Sequence, residues 1–193
     1  MRFLMEIRPD LGIVLSRSHR SAHRRDNPAA MSHSSPIPTP PRPGRPPRVV
    51  LETSVVISAL MFGGGAGAQL RRAWQEGYCR PLLCKATVLD LTRSLASPQL
   101  GLSRHEQEQL LGDYLPHALK VRVPEASGPA PADEPAALAF VRLAMAGRAH
   151  VLVSGDVGLL AMQGRLSCRV MALEPFLNHI ASAGIRPLAL RPR

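Results

Sequence analysis

Arg48-Val49-Val50-Leu51-Glu52-Thr53-Ser54-Val55-Val56-Ile57-Ser58-Ala59-Leu60-Met61-Phe62-Gly63-Gly64-Gly65 is the stretch that decides the fold. Val49 to Leu51 is a short β-branched apolar run, which predicts a buried strand. Glu52 follows at once; Glu is a poor helix cap and is costly to bury unpaired. Val55 to Phe62 is apolar and bounded by three glycines, which predicts a short helix and its stop. The same order recurs later: Val151-Leu152-Val153 predicts a strand, Ser154-Gly155-Asp156 ends it, and a short helix is expected over Val157 to Met162.

The chain between and beyond these stretches alternates in the same way. Gln69 to Tyr78 predicts a helix with Leu70, Trp74 and Tyr78 on one face, Trp74 being a core residue. A strand is expected at Leu82 to Cys84 and a helix over Ala86 to Ala96. Ser103-Arg104-His105-Glu106 has the capping-box form, so a helix runs from there to about Leu115. Leu119 to Val123 alternates as a strand. Glu134-Pro135 opens a helix that is apolar nearly all round through Met145, which implies burial. Arg169 to Met171 and Leu173 to Ile180 predict a last strand and a last helix. Strands alternating with helices predict an α/β domain, a parallel sheet of four to five strands with helices on both faces. In such sheets ligands sit beyond the carboxyl ends of the strands, so acids and hydroxyls just after strands are the candidates.

The 193 residues carry 24 Lys plus Arg against 14 Asp plus Glu, a formal charge of +10. That balance favours a polyanionic partner without identifying it. Residues 1–48 hold nine Arg, three acids and nine Pro, so residues 1–47 are expected to be a basic Pro-rich arm, with Met31 as an alternative start. The domain is expected over 48–182, with a C-terminal tail over 183–193. Cys79, Cys84 and Cys168 are too few and too scattered for a disulfide framework, and predict plain thiols in a reducing cytoplasm. No run of 18 apolar residues exists, which excludes a membrane-spanning helix and predicts no membrane partner. His19 and His23 have metal-pair spacing but sit among arginines with no helical pattern, and are set aside.

Glu52, Asp90 and Asp156 are the candidate site. Two follow strands and Asp90 lies on a helix between Leu89 and Leu91. Clustered carboxylates in a basic protein suit a hard ion, Mg²⁺ or Mn²⁺, beside a phosphodiester. Each has a plainer reading: Asp156 as a helix cap, Asp90 as a solvated helix residue. Gly63-Gly64-Gly65 lacks the Gly-Lys-Ser/Thr ending of a phosphate loop and is read as a stop. A phospho-acceptor receiver domain would want an acidic pair after the first strand and a suitably placed Lys, and neither is seen.

The stretch from Arg48 to Gly65 resembles the opening of PIN-domain nucleases, whose first strand ends in D-T-N. Val153-Ser154-Gly155-Asp156-Val157-Gly158-Leu159-Leu160 resembles their later V-T-G-D-x-D-L-L motif. The closest branch is the bacterial group of toxin components of toxin–antitoxin systems. The resemblance covers about residues 48 to 178. It implies a metal-dependent ribonuclease with a site of three or four acids. It also implies RNA as substrate, an antitoxin protein as partner, and a homodimer. Glu52, Asp90 and Asp156 are then the metal-holding catalytic acids, with Glu134 as a further ligand. Thr53, Ser54 and Ser154 are the supporting polar groups. The chain departs from the pattern at several places. Glu52 stands for Asp, Ser54 for Asn, and Asp90 for a helical Glu. Ala137 stands for an acid in a D-P-x-D segment led here by Glu134, beside Asp133, and Gly158 stands for Asp. These departures imply the alternative of a PIN-fold protein that binds RNA or an antitoxin without cleavage.

Overall fold

The computed structural model describes residues 45–124 and 136–183. The sequences of the expected arm up to residue 44 and of the tail beyond 183 lie outside the described residues, as do Asp133 and Glu134.

Five strands form one sheet: β1 (Arg48–Leu51), β2 (Arg80–Leu83), β3 (Leu119–Lys120), β4 (Val151–Val153) and β5 (Arg169–Met171). Every pairing is parallel, and the order across the sheet is β3-β2-β1-β4-β5. The chain works outward from β1 to β3, then returns to the other side of β1 for β4. The switch point therefore falls between β1 and β4, where a crevice opens beyond the strand ends. Helices α1 (Thr53–Met61), α2 (Gly65–Gln75), α3 (Lys85–Leu95), α4 (Arg104–Tyr114), α5 (Ala136–Ala146), α6 (Val157–Leu160) and α7 (Leu173–Ser182) connect the strands. No single described helix is long and apolar enough to cross a membrane.

The two-residue period of the strands builds two cores. Val49, Leu51, Val151 and Val153 face one layer, made by α1, α2, α3, Tyr114 and α7. Val50, Leu82, Leu152 and Val170 face the other, made by α5 together with Leu159, Leu166 and Cys168. A sheet buried on both faces reads as continuous apolar runs, as β1 and β4 do. Trp74 lies in the first core, edge-on to Tyr114 with ring centroids 5.0 Å apart. The three cysteines are free and buried.

The structure corrects several boundaries. Pro46 and Pro47, placed in the arm by their composition, are buried, and the Pro47 carbonyl accepts from Arg80 N–H at 2.9 Å. The glycines after α1 stop that helix, but Gly65 also begins α2, four residues before the expected start at Gln69. Glycine has low helix propensity, so tertiary contact overrides it here. A Cβ on Gly67 would lie 3.0 Å from the Ser58 carbonyl oxygen and 3.2 Å from Ala59 Cα. β2 begins at Arg80 and includes Pro81, two residues before the expected start at Leu82, and it stops at Leu83, before Cys84. β3 pairs over two residues only, although its burial alternates through Val123. α5 buries Phe140, Val141, Leu143 and Ala144, while Leu138 and Met145 are exposed, so its mostly apolar sequence is buried on one side only.

Gly67→Ala is expected to destabilise the domain by about 1–3 kcal/mol, because the clash is with backbone that cannot rotate away. Urea denaturation measures it; an unchanged midpoint would show that α1 and α2 do not cross this closely.

His150 ties β1 to β4 below the sheet. Arg48 N–H donates to its Nδ1 at 2.9 Å, which requires that nitrogen to be unprotonated. Burial, then the charge of Arg48, hold its pKa below the ordinary value of 6.5. His179 is lowered in the same way, by burial and then Arg169. A depressed imidazole contributes stability above its unfolded pKa, and that contribution is lost as pH falls. The urea midpoint should therefore drop between pH 7.5 and pH 5.5. His150→Gln should show a shallower drop; an equal drop would remove His150 as a source.

Candidate functional site

β1 and β4 are neighbours in register, with Leu51 opposite Val153. The residues that follow them are therefore neighbours too. Glu52 N–H continues the ladder to the Val153 carbonyl at 3.0 Å. Glu52 occupies the N-cap position of α1, but its side chain makes no capping bond. It reaches across to the end of β4 instead. Its Oε2 accepts from the Ser154 hydroxyl and from Gly155 N–H, the latter at 3.0 Å. Glutamate's extra methylene makes this reach possible.

Ser154 is fully buried. Its oxygen donates to Glu52 and accepts from Asp156 N–H at 2.9 Å. Asp156 is exposed, and its Oδ1 accepts from Leu159 N–H at 2.8 Å, so the capping role is real. Asp90, half-buried on α3, accepts at Oδ2 from the Thr53 hydroxyl at 2.5 Å. Thr53 is buried as the first residue of α1, directly after Glu52. Hydrogen bonds and chain neighbours thus connect the three acids: Asp90 to Thr53, Glu52 to Ser154 and Gly155, then Asp156. Ser54 is exposed and makes no hydrogen bond among the described residues.

Among the described residues Glu52, Asp90 and Asp156 have no cationic partner within ion-pair distance; the ion pairs there are Arg71–Asp113 and Arg104–Glu108. Each acid engages its neighbours through one carboxylate oxygen only. In kind, carboxylates and hydroxyls suit a hard divalent cation, so the donor set fits Mg²⁺ or Mn²⁺. In number it is short: among the described residues no three acid, histidine or cysteine side chains come together to hold an ion. Glu134 lies outside the described residues. Ala137 is half-buried in the first turn of α5, where it packs against the second core. A Cβ on Gly158 would lie 3.0 Å from Asp156 Oδ1, so a side chain there crowds the capping carboxylate.

Sequence reading located the acids and hydroxyls but not their pairing. Ser154 and Glu52 are 102 positions apart, and no local pattern announces such a bond. Gly155, whose amide completes the hold on Glu52, carried no signal beyond lying between two candidates.

The PIN domain family profile matches residues 48–158, more than half of the chain. No curated protein matches it.

Ser154→Ala removes a donor to a carboxylate and an acceptor for a buried-side amide. It is expected to cost about 1–3 kcal/mol in urea denaturation. Combined with Glu52→Gln it should be clearly non-additive, since the two residues share one bond. Asp156→Asn keeps a capping oxygen and should stay near wild type. Strict additivity of the first pair would remove the Glu52–Ser154 link.

Proposed function

Because the chain belongs to the PIN-domain family, we propose that it is a ribonuclease dependent on Mg²⁺ or Mn²⁺, the toxin component of a toxin–antitoxin pair. One observation supports this reading above the others: Glu52 and Asp156 follow the two strands that flank the switch point and Asp90 of α3 bonds to Thr53 beside them, with no basic side chain neutralising the three among the described residues. Glu52, Asp90 and Asp156 would supply oxygens to the ion, with Glu134 as a further donor. A bound divalent ion supplies Lewis acidity and a lowered pKa for water beside a phosphodiester. The rest is done by the chain. Ser154 and Gly155 fix the Glu52 carboxylate, Thr53 fixes Asp90, and Asp156 faces solvent where substrate arrives. The same reading includes an antitoxin protein that restrains the enzyme, a homodimer, and a cytoplasmic location.

A second reading is favoured by a specific observation, the shortage of converging ligands. Ala137 and Gly158 remove two acids of the family pattern, and productive geometry is held to about 0.5 Å, less than the methylene that separates Glu52 from an Asp. On this reading the protein binds RNA or an antitoxin and does not cut.

Cleavage of a fluorescent single-stranded RNA with added Mn²⁺ or Mg²⁺ separates the two. Wild type is expected to cut only with the ion, and Glu52→Gln to cut at least tenfold more slowly. Ala137→Asp should raise cleavage at least tenfold, equivalent to about 1.4 kcal/mol of barrier. Adding Asp156→Asn should abolish that gain. RNA binding without cleavage under either ion would establish the second reading.

A further inference from the structure

The sheet has two chemically opposite edges. Acids follow the strands at the carboxyl edge; arginines open them at the amino edge. Arg48 and Arg80 begin β1 and β2 and are paired in register. Arg169 begins β5. His150 immediately precedes β4, and its backbone bonds to both sides: its N–H to the Arg48 carbonyl at 2.8 Å and its carbonyl to Arg169 N–H at 3.0 Å. His117 ends the 3₁₀ turn Leu115–His117 that leads into β3, the neighbour of β2. In strand order the edge carries His117, Arg80, Arg48, the unprotonated His150 and Arg169. By the two-residue period Arg80, Arg48 and His150 lean toward the second core and Arg169 toward the first, near His179 of α7, so the arginines straddle the edge. Neighbouring strands lie about 4.8 Å apart, so the row spans roughly 19 Å. Arg148, exposed in the turn from α5 to β4 at φ 47°, lies beside it.

None of these residues enters either described ion pair. Arg48 Nε and His117 Nδ1 are buried and have no hydrogen-bond partner among the described residues. Opposing them among the described residues are the Glu76 carboxylate just past α2 and the carboxyl ends of α2, α5 and α7, each helix end worth about half a negative charge. The arginines outnumber them. The chain also enters the domain at this edge, through Arg45 and the buried Pro46 and Pro47, behind a segment rich in arginine.

We propose that the amino edge of the sheet is a phosphate-backbone binding surface for single-stranded RNA, on the side of the domain opposite the carboxylates. The proposal rests on RNA being the partner, as read above. A stacked strand advances about 3.4 Å per phosphate, so a row of this length lies along roughly five phosphates. A surface that holds backbone charge and reads no bases anchors RNA without competing for the strand-end site.

Salt-dependent binding of a fluorescent poly-U to the full chain tests this. The variant Arg80→Gln/Arg148→Gln/Arg169→Gln should bind at least tenfold more weakly at 150 mM salt. Its log–log salt slope should fall by about 2, at about 0.7 per lost contact. The corresponding triple Lys variant should retain the slope. A control, Lys85→Gln/Lys120→Gln/Arg122→Gln, removes three charges from the carboxyl edge and should leave the slope near wild type. The proposal is overturned if the Gln triple keeps the wild-type slope, if the control loses as much, or if the Lys triple falls with the Gln triple. It is also overturned if poly-glutamate competes as well as RNA, which would make the edge a protein-docking surface. If the wild-type chain binds no RNA, the RNA reading itself fails; if it binds and the Gln triple is unaffected, only the edge assignment fails.

Discussion

The hydrogen bonds that hold the Glu52 carboxylate at the end of β4 are the interaction on which the site depends. β1 is central, buried on both faces, and is followed at once by a charged residue, Glu52. A carboxylate in that position must be satisfied, and no cation is offered to it among the described residues. The chain satisfies it from the neighbouring strand, through a buried hydroxyl and a backbone amide. That choice fixes the two strand ends against each other and sets where Asp156 emerges. The same logic acts at Asp90, held by a hydroxyl from the first residue of α1.

Much of the fold is legible because its signals are local. β1 and β4 are β-branched runs, and both were readable without partners. Ser103 and Glu106 announce α4, and the structure forms the reciprocal bonds of that box. What escaped is tertiary. Gly65 to Ala68 alternates the weak helix former Gly with the strong one Ala, and the close approach of Gly67 to α1 goes with its helical form. Pro81 is tolerated in β2 although a proline argues against a central strand. α5 reads as buried all round, yet only one side has a layer to meet.

The site was legible in a narrower sense. Topology dictates that residues after parallel strands share a crevice, so Glu52, Ser154 and Asp156 could be named from spacing alone. Their bonds could not, because Ser154 Oγ serves two residues at once and both partners are set by register between distant strands. Of the two readings offered for Asp156, the capping bond is formed, through Oδ1.

The bridge from Glu52 to Ser154 has an evolutionary consequence. An aspartate at 52 is one methylene shorter and falls away from the serine that a glutamate reaches. The effect of changing 52 is therefore conditional on what occupies 154, and the reverse holds too. Drift at this pair proceeds along some orders of substitution and not others. Shortening the acid at 52 while Ser154 is kept leaves a buried hydroxyl without the acceptor it now has.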